Sequence, residues 1–359
     1  VHIASPSDSG YSDVLAVGGE IKATFCVTKD SYAYISQHIG DLGNLETLEA
    51  MERGVRSFVK LYRAGIDAVA GDLHPSYLST QWGRQLASRL EVPFVGIQHH
   101  HAHLASLIAE RRWSPDHDII ACCLDGTGYG LDGAIWGGEF LIGNCRDFER
   151  FANVDYFRLP GGDASIKRPY RCALSLLRRH KIDWESDLPC VNACTGAERD
   201  VLKQQIDRGI QSPETSSMGR LFDAVASTIG VRQSVSYEAQ AAMELEYLAS
   251  QAIDSYSSPN ASFRIRDECL EPSSSSVESR AEPNAVPKPP TPSIRAGHRL
   301  RESHPISIDP GPVLQSLVAN VRAGRSRAEL AAQFHLSVAE MIASVCRLAR
   351  ERSGLSLVG

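Results

Sequence analysis

A chain of 359 residues, 43% hydrophobic and 22% charged, can bury one large or two medium cores, which excludes a wholly disordered polymer. Its net charge of −6 argues against a broad nucleic-acid-binding surface, and no apolar run nears the roughly 20 residues of a membrane helix. Nine cysteines, an odd number without CxxC spacing, argue against a disulfide scaffold or a four-cysteine zinc knuckle and read as reduced thiols. The N-terminus has neither a basic start nor an apolar signal core, so a cytoplasmic protein is expected.

Residues 1–13 are polar and read as a lead-in. The stretches 14–19 and 23–28 then read as a strand, a turn and a second strand, with a third strand over 32–36. Apolar residues at helical spacing (Leu45, Leu48, Met51, Val55, Phe58, Val59, Leu61) predict a helix over 45–64. A short buried strand at 68–72, a helix over 78–90 and a strand at 94–97 follow. This alternation predicts a sheet with parallel members and helices on its faces, a first lobe spanning 14–115.

A second block, 116–256, opens in the same way. Residues 119–124 form a strand that enters a glycine-rich turn, and strands continue at 134–136 and 139–142. After about residue 165 the pattern turns helical, over 170–180, 197–208, 218–230 and 237–256. Seven of the 18 prolines lie between 272 and 305, and the composition of 257–309 is that of a linker or insertion. Helices over 312–323 and 337–352 and the opening of a strand at 355–359 complete a last segment, 310–359.

Five motifs are candidates to carry chemistry. Gln98-His-His-His-Ala-His follows a buried strand and begins a helix, so His99 and His103, four apart, share a face and can direct two imidazoles toward one metal ion. His100 and His101 point elsewhere, toward supporting roles or solvent. Leu124-Asp-Gly-Thr-Gly-Tyr-Gly combines small residues that admit a phosphate (Gly126, Gly128), a hydroxyl donor (Thr127) and a carboxylate at a strand end (Asp125) suited to a cation. Gly18 and Gly19 form a similar turn, with Lys22 to neutralise phosphate charge and Thr24 as a hydroxyl donor. Gly161 and Gly162 make a third glycine turn beside Asp163, and Ser217 caps a helix that carries Arg220 and Asp223. No GxSxG elbow is present and no cysteine has convincing nucleophile partners, so the chemistry reads as phosphate and metal work in a cleft.

Seven blocks in order resemble the C-terminal transferase domain of HypF, the carbamoyltransferase of NiFe-hydrogenase maturation. They are Gly18-Gly-Glu-Ile-Lys-Ala-Thr-Phe-Cys, Ser36-Gln-His-Ile-Gly-Asp-Leu, Asp72-Leu-His-Pro-Ser-Tyr-Leu, Gln98-His-His-His-Ala-His, Asp125 to Glu139, Ser216-Ser-Met-Gly-Arg-Leu-Phe-Asp, and Ser236-Tyr-Glu-Ala-Gln-Ala-Ala-Met. The resemblance implies an α/β, two-lobed ASKHA (actin and hexokinase-like) fold. It implies that His99, His103 and Asp125 ligate one divalent ion, with iron, zinc and magnesium all open. Gly18, Gly19, Thr24, Gly126, Thr127 and Gly128 would then hold phosphate, Gly161 and Gly162 would lie along the nucleotide, and Gly219 and Asp223 would reach its ribose.

In this family a YrdC-like domain makes carbamoyl adenylate from carbamoyl phosphate and ATP, and the transferase domain passes the carbamoyl group to the C-terminal cysteine of HypE. That group becomes a cyanide ligand of the hydrogenase iron. The alternatives are an O-carbamoyltransferase of antibiotic biosynthesis, acting on a small-molecule hydroxyl, and an inactive nucleotide-binding remnant. Position 23 is alanine where the family usually carries asparagine. The family also continues past the strand at 355–359 with a glycine turn and a metal-binding aspartate, so a second lobe cut short is expected.

Overall fold

The computed structural model describes residues 13–267 and 305–359. Residues 1–12 of the expected lead-in at 1–13 and most of the expected linker at 257–309, namely 268–304, lie outside the described residues. The described chain divides into two compact units. The first runs to His117 and includes the loop Asn144–Asp147; the second holds Asp118–Gly143 and the described residues from Phe148 onward.

The first unit contains β1 (Val14–Ala16), β2 (Cys26–Lys29), β3 (Tyr32–Ile35), α1 (Leu45–Tyr62), β4 (Ala68–Asp72), α2 (Leu78–Leu90), β5 (Phe94–Ile97) and α3 (His99–Arg111). Its sheet has the order β3-β2-β1-β4-β5. The first three strands pair antiparallel as a meander, whereas β4 and β5 join β1 in parallel through helical crossovers. The Asn44 side chain starts α1 by accepting the Thr47 amide at 2.9 Å. Met51 and Val55 of α1 seal a core with Leu15, Phe25, Val27 and Val69. Leu45 and Leu61, expected on that apolar face, instead lie 65% and 70% exposed, because the buried stripe is narrower than the spacing suggested.

The second unit contains β6 (Ile119–Tyr129), β7 (Ile135–Gly143), β8 (Phe148–Val154), β9 (Phe157–Arg158), α4 (Asp163–Lys167), α5 (Pro169–Arg179), α6 (Pro189–Asn192), α7 (Gly196–Arg208), β10 (Glu214–Thr215), α8 (Met218–Thr228), α9 (Gln240–Ser250), β11 (Arg264–Arg266), β12 (Ile306–Asp309), α10 (Gly311–Arg322) and α11 (Arg327–Ser353). Its sheet runs β11-β12-β8-β7-β10-β9, with β6 also paired to β7. Beyond α11, the chain lies parallel to β6: the Ile120 amide donates to Leu357 O at 3.0 Å and the Cys122 amide to Gly359 O at 2.7 Å. Leu174, Leu177, Leu221, Val225, Leu245 and Val345 from the helices cover Phe140, Ala152 and Ile308 of the sheet.

Several sequence expectations change here. Residues 124–128 are not the hairpin turn: β6 continues through them with a register shift opposite β7, and the chain reverses at 130–134. The two strands expected at 134–136 and 139–142 are one, since Gly137 and Gly138 remain in the ladder. The linker composition concealed β11, a polar edge strand whose Arg264 and Arg266 reach Asp309. Helix α11 starts ten residues earlier than expected, because Ser326 caps it, accepting the Glu329 amide at 3.2 Å. Among the described residues no helix is long and apolar enough to cross a membrane.

Candidate functional site

In the first unit, α3 begins directly after β5, and the Gln98 side chain fixes the start by accepting the His101 amide at 2.9 Å. One helical turn separates His99 from His103, and their Nε2 atoms stand 3.2 Å apart. Behind His99, Asp72 at the end of β4 holds Nδ1 at 2.8 Å from Oδ2. These groups border a cavity of about 360 Å³ in this unit, lined also by Ala16, Gly18, Gly19, Gly71 and Ser106. Gly18 sits at φ +65°, and a Cβ there would lie 2.8 Å from Thr24 O, so the turn needs glycine. Lys22 and Thr24 follow in the same turn but do not line the cavity. Glu20, which the sequence reading passed over, accepts the Leu78 amide at 2.7 Å and serves as the cap that Tyr77 cannot provide for α2.

His100 and His101 are not solvent-facing. They are 0% and 4% exposed, and His101 Nε2 meets the Asn144 carbonyl at 2.8 Å. The side alternating with His99 and His103 therefore anchors the helix while His99 and His103 face the cavity. Two imidazole nitrogens converging from adjacent turns are a donor set that fits a divalent transition ion.

In the second unit, Asp125, Gly126, Thr127 and Gly128 occupy the irregular stretch of β6. The Asp125 carboxylate accepts the Gly126 amide at 2.6 Å. Against this stretch rests the N-terminus of α8: Ser217 Oγ donates to Gly126 O at 2.8 Å, and a Cβ on Gly219 would come within 2.9 Å of Gly126 Cα. Gly126, Gly219 and the Ser217 cap thus meet at one place, with the Arg220 guanidinium beside them. Arg220 Nε lies 2.9 Å from Asp223 Oδ2, and both side chains are buried. Burial pushes the Asp223 carboxyl up to about 6, against the lowering effect of Arg220. Gly161 and Gly162 form a separate turn into α4, tied to Gln211 and packed on Arg171.

A second missed residue braces the phosphate-loop candidate. Glu139 is 0% exposed and accepts the Gly137 and Gly138 amides at 2.5 and 2.7 Å, the Ser216 hydroxyl, and Arg150 Nη2 at 2.8 Å. Arg150 lies over the Trp136 ring at 3.9 Å and donates to Tyr156 OH at 2.7 Å. One buried carboxylate so ties β7 to the residue preceding the α8 cap. Burial pushes the thiols of Cys123, Cys172 and Cys190 each up to about 12, which disfavours a thiolate at those three positions.

Two family models match the chain, "HypF Kae1-like domain" over residues 9–110 and "Carbamoyltransferase, Kae1-like Domain, second subdomain" over 121–359. Carbamoyltransferase HypF2 of Cupriavidus necator is 39% identical over 244 residues, covering 66% of this chain and 29% of the relative. HypF of Rhodobacter capsulatus is 40% identical over 240 residues, covering 66% and 32%. The chain therefore spans about a third of the length of these relatives. A crystal structure of full-length HypF in a phosphate- and nucleotide-bound form superposes with a TM-score of 0.82 at 34% identity, over all of this chain and 41% of that one. HypF of T. kodakarensis gives 0.77 at 29% identity, over all of this chain and 42% of its own.

Proposed function

The chain belongs to the HypF carbamoyltransferase family, and from that premise we propose that it supplies the transferase step of hydrogenase maturation, moving a carbamoyl group from carbamoyl adenylate to the C-terminal cysteine of a HypE-type acceptor. The acceptor thiolate attacks the carbonyl carbon, a C–S bond forms, the C–O bond to the phosphate breaks, and AMP leaves with the electron pair. The observation that carries this reading is the His99–His103 pair, with Nε2 atoms 3.2 Å apart at a cavity bordered by the Gly18–Gly19 turn. Bound there, a divalent ion would withdraw charge from the leaving phosphate. Imidazole donors favour iron or zinc over magnesium, which prefers oxygen.

The other groups of the reading are backbone and hydroxyl donors. The amides of Gly126, Thr127 and Gly128 and the Thr127 hydroxyl, with Gly219 at the start of α8, are suited to phosphate oxygens. A full-length relative, of which this chain covers 41%, is solved in a phosphate- and nucleotide-bound form, which supports phosphate and nucleotide chemistry in the family. Raised thiol pKa values at the buried cysteines fit a reaction whose nucleophile arrives with the acceptor.

The test supplies this chain with carbamoyl phosphate, ATP, a YrdC-like domain and a HypE-type acceptor, and follows the acceptor by mass spectrometry. The expected result is one carbamoyl group on the C-terminal cysteine, absent when that cysteine is replaced by serine or when His99 and His103 are both alanine. Transfer to a small-molecule hydroxyl without thiol modification would instead favour the O-carbamoyl reading.

A further inference from the structure

Asp72 ends β4 with its carboxylate 7% exposed and held from both sides. Oδ1 accepts the His74 amide at 2.8 Å, and Oδ2 lies 2.8 Å from His99 Nδ1. The Asp72 carbonyl is held in turn by Thr80 Oγ1 at 3.0 Å. A carboxylate oxygen accepts, so the Oδ2 contact selects the tautomer whose proton sits on Nδ1. A neutral imidazole protonated at Nδ1 carries its lone pair on Nε2, the atom that faces His103.

Resting on the metal reading above, we infer that Asp72 is a positioning residue: it locks His99 in the tautomer whose Nε2 carries no proton and can turn its lone pair toward the ion, and orients the ring for it. An asparagine at 72 has the same shape but opposite hydrogen-bonding at one position. The His74 amide still needs an acceptor, so the amide oxygen stays with it and the NH2 group faces His99. That group donates to Nδ1 and drives the ring proton onto Nε2, where the ligand lone pair is needed. An alanine leaves the ring free to choose either tautomer. Asp72→Asn should therefore weaken the site more than Asp72→Ala, the reverse of the order expected if Asp72 merely filled space.

The experiment uses the full chain and Zn²⁺ alone, titrated in competition with a chromophoric chelator. Expected is a loss of zinc affinity of about 10- to 100-fold in Asp72→Asn and a smaller loss in Asp72→Ala. Long-range proton–nitrogen NMR of the metal-free protein should show the His99 proton moving from Nδ1 to Nε2 in Asp72→Asn. Parent-like zinc affinity in Asp72→Asn, or a weaker site in Asp72→Ala than in Asp72→Asn, would overturn the inference. His99→Ala separates the two levels. If it binds zinc like the parent, the metal reading itself falls. If it loses zinc while Asp72→Asn keeps it, only the role of Asp72 falls.

Discussion

Asp223 shows how one buried residue writes itself into a pH profile. Its carboxyl is 3% exposed, and burial outweighs the Arg220 guanidinium, so the folded-state pKa rises from 3.8 to about 6. Between those values the native chain holds a proton that the unfolded chain has released. Stability must then fall as pH climbs from about 4 to about 6 and stay lower above it. Asp223→Asn removes this dependence. Its stability relative to the parent should rise by about 2 kcal/mol between pH 4 and pH 7, at 1.36 kcal/mol per pKa unit, whatever constant cost Arg220 adds by losing its partner. Urea denaturation of both proteins at several pH values reads the difference, and parallel profiles would refute it. Asp223 was legible as a polar candidate in the sequence, but its burial was not. The same holds for Asp72 and Glu139: both stand inside recognisable motifs, yet nothing in a one-dimensional pattern tells a solvated carboxylate from one held by an amide and a ring, as Asp72 is, or by two amides, as Glu139 is. The available signal was position, since a carboxylate ending a buried strand lies where α/β sheets gather ligands.

At the scale of elements, the legible parts were those governed by period and by caps. Helices α2, α3, α5, α7 and α8 follow from apolar spacing, and β1, β4 and β5 from short buried runs. What escaped were elements whose cause is a tertiary partner. Strand β11 is polar and exists because β12 offers it a ladder, while the irregular stretch of β6 reads as a turn until β7 is seen beside it. The entry to α9 was equally hidden. Ala239 sits there at φ 60° and ψ 10°, left-handed geometry that costs a residue with a Cβ about 1–2 kcal/mol. Glycine relieves that strain but adds freedom to the unfolded chain, worth about 0.4–1 kcal/mol in the other direction. Ala239→Gly should thus stabilise the protein by about 1 kcal/mol or less, measurable as a higher urea midpoint with an unchanged slope. A lower midpoint would mean that the local helix entry is not strained.

For the molecule as a whole, length allowed one large core or two medium ones, and the strand, glycine turn and strand that open both blocks pointed to two lobes. The buried apolar residues of the described chain form two clusters: the one around Phe25, Met51 and Val55 shares no member with the one around Phe140, Leu221 and Val345. Each sheet is therefore sealed by its own helices. Phe25 is 1% exposed and meets the Phe58 ring edge-on at 4.9 Å, and Phe140 is 0% exposed at the centre of the second sheet. Truncating either to alanine removes a fully buried ring, at about 3–5 kcal/mol. If each core is its own cooperative unit, the loss should stay local in native-state hydrogen exchange. Phe25→Ala should speed exchange in β1, β2 and β4 and leave β7 and β8 at their parent rates. Phe140→Ala should do the opposite. Equal acceleration throughout the chain in both variants would show that the two cores open together and that stability belongs to the described chain as one body.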